Sequence, residues 1–315
     1  MKSLKEFKGK EYDDLISVII PLYKSFEPAR VQMSIDSLKQ QQKVNLEIVV
    51  AEQSDKPTFH QQKGISYRFI PNKEIKNLDY AIPGLVRNIA VKSSYGDYLY
   101  NSDGDIVYLN PYYFAEILEL IKTGKDVSLY RPPMRRLPIE DFEYFKNMWE
   151  EHGLQKALGN LDMSEEFTAK MPSSKISIIP FRKKESGKLK TFLYSSSDLK
   201  KYNENTNLKG SEPKYSTLSV HAGATFMERR HFQEVGGFCE KFIAWGCHDA
   251  DLQWKLRKKF NLIEFPNFPE YEVLHLDHER MYFDKDRWLA NLEIQKSRRA
   301  KSVDNAITED LKNGN

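Results

Sequence analysis

Apolar residues in this chain fall into short blocks separated by amphipathic stretches. From Leu15 to Leu22 the run is continuous and rich in Ile and Val, as in a strand buried on both faces. Pro21 is expected to stop it. Val31, Ile35 and Leu38 then recur at helical spacing. Leu46 to Ala51 reads as a second buried strand, closed by Glu52 and the polar turn Gln53-Ser54-Asp55, and Tyr67 to Ile70 as a third, closed by Pro71-Asn72. Leu85 and Ile89 mark a helix ending near Gly96, after which a fourth strand, Asp97 to Asn101, runs into Ser102-Asp103-Gly104-Asp105. Asn110 is the expected N-cap, with Pro111 in the first position, of a helix reaching about Lys122. Asp126 to Tyr130 is a further strand. Strands and helices in alternation predict an α/β fold with a mainly parallel sheet flanked by helices.

The pattern changes between Arg131 and about Pro213, where Pro-Pro, basic clusters and a Ser/Lys/Asn-rich stretch from Tyr194 to Gly210 replace it. Ile139 to Leu158 is expected to be helical, and the remainder to be an inserted, mobile loop region. Regularity returns with a strand from Leu218 through Phe226, a short helix ending at Gly236-Gly237, an amphipathic helix from about Asp249 to Phe260 and a last strand, Glu272 to Leu276. The tail from Asp284 is polar and reads as a helix that then frays. The chain therefore divides into 1–130, an insertion at 131–213, a second regular part at 214–282 and a tail at 283–315.

Composition narrows the classes. At 315 residues, with 40% hydrophobic and 12% aromatic residues, the chain suits one large α/β domain with an insertion and can fill a sizeable core. A formal net charge of +3 gives no support for nucleic-acid binding. No apolar run is long enough for a bilayer, and Met1 to Lys10 lacks an apolar signal region, so the expected location is cytoplasmic. Cys239 and Cys247, the two cysteines, are expected to be free thiols.

Ligands of open parallel sheets sit beyond the carboxyl ends of the strands. Three such ends carry polar groups: Pro21-Leu22-Tyr23, Glu52-Gln53 and Asp103-Gly104-Asp105. Two acids one residue apart can face a common Mg2+ or Mn2+ that bridges phosphates, with Gly104 letting a ligand approach closely; an Asp-Gly turn would look the same. Asp249 and Asp251, after Trp245-Gly246-Cys247-His248, would open a helix, where acids also serve the helix dipole. His275 and His278 at a strand end fit metal ligation.

In order along the chain, Ser17-Val18-Ile19-Ile20-Pro21-Leu22-Tyr23, Ala51-Glu52-Gln53, Leu85 to Ala90 and Tyr98 to Asp105 resemble family-2 glycosyltransferases. Gly236-Gly237-Phe238 through Trp245 to Leu252 resembles the galactosyltransferase segment of β-1,4-galactosyltransferases, polypeptide GalNAc-transferases and chondroitin-type polymerases. The resemblance covers about residues 15–125 and 218–280. It implies a GT-A (Rossmann-like) fold with nucleotide-sugar binding in 1–130 and catalysis and acceptor contact in 214–282; the insertion at 131–213 matches no part of the family, and acceptor recognition is expected there. It also implies a metal, Mn2+ or Mg2+, a UDP-sugar donor and a glycan or glycolipid acceptor.

Carried over by position, Pro21, Tyr23 and Glu52 would line the uridine pocket, and Arg87 would approach the base or diphosphate. Asp103 would touch the ribose or donor sugar. Asp105 would bind the metal with His275, or His278 as the alternative. Trp245 would wall the donor or acceptor sugar, with His248 and Asp251 toward the acceptor, and Asp249 matches the base of inverting members. His248 and Cys247 stand where the segment usually has Glu and Gly. A bacterial surface-polysaccharide role is what the resemblance suggests; with a lipid-linked acceptor, Lys/Arg residues of the Asp284–Lys301 tail would touch the inner membrane face, whereas a solvated helix face is the expected reading otherwise. A nucleotidyltransferase would want a glycine-rich loop after the first strand, which Pro21 to Ser25 lacks. A non-catalytic sugar-binding protein would be expected to lack one of Asp103, Asp105 and Asp249.

Overall fold

The computed structural model describes residues 13–24, 26–75, 80–161, 178–185, 188–195, 219–265, 269–279 and 283–313. Strands β1 (Leu15–Tyr23), β2 (Asn45–Ser54), β3 (Ile65–Pro71) and β4 (Tyr98–Asn101) run parallel in one sheet. β6 (Val127–Tyr130), β11 (Thr225–Glu228) and β12 (Asn261–Glu264) extend it, giving the order β12-β6-β11-β4-β1-β2-β3. β11 is antiparallel to both β4 and β6, which the sequence pattern does not disclose.

Pro21 does not stop β1. The strand continues to Tyr23 opposite Gln53 of β2, whereas β4 pairs with β1 only as far as Ile19. Ile19 accepts from the Ser102 amide. Two residues on, Pro21 faces the same side beyond the end of β4, where no partner asks for its missing N–H.

One face of the sheet is covered by α1 (Pro28–Lys39) and α3 (Tyr113–Thr123), through Val31, Ile35, Phe114 and Ile117. The other is covered by α2 (Pro83–Lys92), through Val86 and Ala90. The α3 helix begins later than expected: its N-cap is Tyr112, and the Asn110 side chain accepts from the Tyr112 amide in the preceding turn.

The stretch after Arg131 is less of an insertion than its composition suggests. β7 (Pro133–Leu137) pairs with β10 (Ser219–Val220) and β13 (Val273–Leu276), and β13 pairs with β5 (Ile106–Tyr108). This second sheet has its own core with α4 (Phe142–His152) and α5 (Leu154–Gly159), packing Phe145, Leu154 and Leu158 on Met33, Val107 and Leu274. The single helix expected over Ile139 to Leu158 is broken at Gly153, which takes φ +80°. β8 (Ile178–Glu185) and β9 (Lys188–Ser195) form an antiparallel hairpin. Residues 196–210 of the Ser/Lys/Asn-rich stretch lie outside the described residues.

Three helices, α6 (Arg229–Glu234), α7 (His248–Lys259) and α9 (Val303–Asn313), add to the second face through Phe232, Leu252, Leu256 and Ile307. The tail does not fray after its first helix, α8 (Lys285–Ala300). Buried Arg298 donates to both Asp251 oxygens at 2.9 and 3.0 Å and to Asp310 at 2.6 Å, while fully buried Lys255 donates to Asp310 at 2.5 Å and to Gly237 O at 2.6 Å. Among the described residues no helix is long and apolar enough to cross a membrane.

Candidate active site

The carboxyl end of β4 leads through the four residues 102–105 into β5, and β5 lies against β13. This places Asp105 opposite the end of β13, where its carbonyl accepts from the Leu276 amide at 2.9 Å. His278 Nε2 lies 2.9 Å and His275 Nε2 3.4 Å from Asp105 Oδ2. Among the described residues these three side chains form the one group whose ligand atoms all lie within 4.8 Å of one another. Both histidines thus reach Asp105. Asp105 Oδ1 is buried with no protein partner. One carboxylate and two imidazoles suit a first-row divalent ion such as Mn2+ better than Mg2+, which favours all-oxygen shells. The His275 Nδ1 lies 3.2 Å from Asp277 Oδ1, which also accepts from Arg136, the arrangement that orients an imidazole ligand. Burial disfavours the Asp105 carboxylate, but His275 and His278 outweigh it and hold it well below its usual range.

A second chain of polar groups starts at Asp103. Its Oδ1 accepts from buried Arg87 at 2.7 Å, and its Oδ2 is 2.9 Å from His221 Nε2. Burial opposes ionisation of Asp103, yet the His221 and Arg87 partners bring its carboxyl down to about 2. Arg87 Nη1 lies 3.5 Å from His248 Nε2, and that nitrogen lies 3.0 Å from Asp249 Oδ2. The other Asp249 oxygen, Oδ1, is buried without a partner. A Cβ at Gly223 would lie 3.3 Å from Asp103 Oδ2 and 3.4 Å from Asp249 Oδ2, so any side chain there would crowd both acids. A Cβ on Gly104 would meet the Leu22 side chain at 2.9 Å, so Gly104 packs closely against β1.

Local backbone explains how α7 presents Asp249. Ala244 and Cys247 have φ of 60° and 69°, and Gly246 has φ +101°. Cys247 is the N-cap, without a side-chain bond, so Asp249 lies inside the first turn and is not the cap. A positive φ is what a glycine at position 247 would supply freely, and a Cys there carries strain of order 1 kcal/mol. Asn88, the next residue of α2, ties that helix to the 238 backbone, donating to Phe238 O and accepting from the Phe238 amide, both at 2.9 Å.

Other expected site residues fall differently. Tyr23 lies beside Arg87, and burial pushes its phenol up. Pro21 is buried in β1. The Glu52 acceptors are already engaged by Ser54, Thr58, the Phe59 amide and Tyr67. Those donors hold it below the usual carboxylate range despite burial, and they leave it shaping the 54–59 turn rather than facing Arg87. Trp245 packs edge-on to Phe283, 5.6 Å between ring centres. Asp251 is fully buried against Arg298, so it cannot meet an acceptor, and His248 is buried between Arg87 and Asp249. His221, which the sequence pattern did not single out, belongs to the site; its only signal was a His-Ala-Gly ahead of a strand. The two cysteines are free, Cys239 buried and Cys247 partly so.

Residues 17–170 match the model of glycosyl transferase family 2, and residues 205–279 match that of the N-terminal domain of galactosyltransferase. Over these two stretches the chain is similar to family-2 glycosyltransferases and to galactosyltransferases. Its galactosyltransferase-type segment contains His221, Gly223, Asp249, His275 and His278. Among the solved structures that resemble it are two transferases. One is a mannosyltransferase from Pyrobaculum calidifontis in complex with GDP-Man and Mn2+, at 14% identity and a TM-score of 0.44, matched over 86% of this chain and 59% of that one. The chain thus spans about three fifths of that protein's length. The other is the catalytic domain of Drosophila β1,4-galactosyltransferase 7 in complex with xylobiose, at 14% identity and a TM-score of 0.43, over 92% of this chain and 83% of that one. No curated protein matches the sequence.

Proposed function

We propose that this glycosyltransferase is metal-dependent and inverting, moving a hexose or N-acetylhexosamine from a UDP-sugar to a hydroxyl of a glycan or glycolipid. One observation carries the reading: the Asp105–His275–His278 group and the Asp103–Arg87–His248–Asp249 chain are borne by adjacent elements at one end of the sheet, and Asp249 there keeps one oxygen unpartnered. Asp105, His275 and His278 would hold Mn2+ or Mg2+, and that ion, when bound, would neutralise the departing diphosphate. Arg87 and His221 keep Asp103 ionised and fixed for a ribose or sugar hydroxyl. His248 lies beside Asp249 Oδ2, and the partly exposed Asp249 carboxylate would take the acceptor proton. A base on the face opposite the leaving group gives direct displacement and an inverted product.

The test is hydrolysis and transfer with several nucleotide sugars, in Mn2+, in Mg2+ and in excess chelator. Turnover of a UDP-hexose or UDP-N-acetylhexosamine that chelator abolishes is expected. Full activity in chelator overturns the metal assignment, and a product of retained anomeric configuration overturns inversion.

A further inference from the structure

A cavity of about 180 Å3 opens beside α7, lined by Arg131, Ala250, Gln253, Trp254, Arg257 and Arg299. A cavity of about 150 Å3 admits benzene, so this one has room for a six-membered sugar ring. Ala250, Gln253, Trp254 and Arg257 stand at i, i+3, i+4 and i+7, one face of the helix whose first turn holds Asp249. Trp254 lies about 8 Å along the axis from Asp249. Gln253 donates to Ala222 O at 2.8 Å, and Arg131 N donates to Ala224 O. The 221–224 turn that lines the active site is therefore also braced from this side.

The lining is basic with no acid in it, although the whole chain has 48 basic and 45 acidic residues. Arg131 and Arg257 both sit 5.2 Å from the Tyr130 ring centre, and Arg257 donates to the Tyr130 hydroxyl at 2.8 Å. Two guanidinium groups are thus fixed by one ring. Arg131 takes φ 59°, its Nε is buried without a partner, and its nearest acid, Glu264 at 3.7 Å, is 64% exposed. Guanidinium forks match carboxylate and phosphate oxygens, and an indole packs on the C–H face of a pyranose.

We propose that this cavity binds an anionic sugar unit of the acceptor, with Trp254 under the ring and Arg131, Arg257 and Arg299 around its carboxylate or phosphate. The inference rests on the transferase reading and adds the acceptor's chemical class. The test follows the indole N–H signals of the protein by NMR, with Trp254→Phe identifying the relevant one. The probes are trigalacturonate, glucose 6-phosphate, neutral maltotriose and inorganic sulfate. The Trp254 signal should move with an acidic sugar and not with maltotriose, and the stronger of the two acidic probes identifies carboxylate or phosphate. The Arg257→Ala/Arg299→Ala variant, altered at exposed positions, should bind at least tenfold more weakly while UDP affinity is unchanged. No movement with either acidic sugar, an equal response to maltotriose or to sulfate, or arginine-dependent binding to anionic vesicles alone would overturn the proposal. Loss of UDP binding by the unaltered protein would instead count against the transferase reading.

Discussion

Replacing Asp249 by Asn separates chemistry from architecture. Asp249 Oδ2 is held by His248 at 3.0 Å, and Oδ1 has no partner. Asn has the same shape and keeps the Oδ2 contact. The cap of α7 is Cys247, so no capping bond is lost. What goes is one negative charge in the first turn, worth about 0.3–1 kcal/mol to the helix, or about 2 °C in Tm at this size. The unpartnered oxygen becomes an amide that cannot take a proton. Loss of a general base costs roughly 100- to 10,000-fold, or about 2.7–5.4 kcal/mol of barrier at about 1.36 kcal/mol per decade. Turnover should fall by that factor, with UDP affinity, measured calorimetrically, changed less than about threefold, a shift of under 1 kcal/mol. Near-normal turnover would refute the role. A parallel loss of UDP affinity would also refute it, because Asp249 is the strongest charge favouring ionised Arg87 and would then be acting through that residue.

Three further outcomes are expected. Asp105→Ala or His278→Ala should abolish Mn2+ binding, read by electron paramagnetic resonance of the free ion, and Mn2+ should support activity at least as well as Mg2+. Asp103, brought down to about 2 from an ordinary value of about 3.9, stabilises the fold fully above that ordinary value, and the contribution is lost as pH falls through the folded one. The gap in urea midpoint between the wild-type protein and Asp103→Asn should therefore close between about pH 4 and pH 2; a gap unchanged across that window refutes it. Arg298→Ala leaves Asp251 and Asp310 buried without their guanidinium and should cost about 3–5 kcal/mol, with Arg298→Met no remedy, since either change breaks a buried pair at one end; a loss under about 1 kcal/mol in denaturant titration would show those charges to be hydrated.

The central sheet was legible because β1 and β2 are buried on both faces and carry unbroken apolar runs. The second sheet was not. β7 is Pro-Met-Arg-Arg-Leu, its partner β13 lies some 140 positions away, and Arg136 looks like surface until Asp277 is seen beside it. Asp105, His275 and His278 were readable as separate polar strand ends, and β5–β13 pairing is what joins them. Glu52 and Asp251 misled for one reason: an acid at a strand end or helix start looks available until its donors, Thr58 and Tyr67 or Arg298, are located. The tail misled in the opposite direction, since Arg298 and Asp310 suggest solvent but are among its most buried positions.

The clasp on α7 has a consequence for synthesis. Asp251 and Lys255 receive their counter-charges from Arg298 and Asp310, 47 and 55 residues later. Chains emerge at about 5–20 residues per second, so for seconds Asp251 and Lys255, four positions apart on the nascent helix that bears Asp249, have only each other as counter-charges. The sheet strands β1 to β4 can fold around a nucleotide meanwhile, while the helix that would take the acceptor proton is completed only after residues 298–310 have been made.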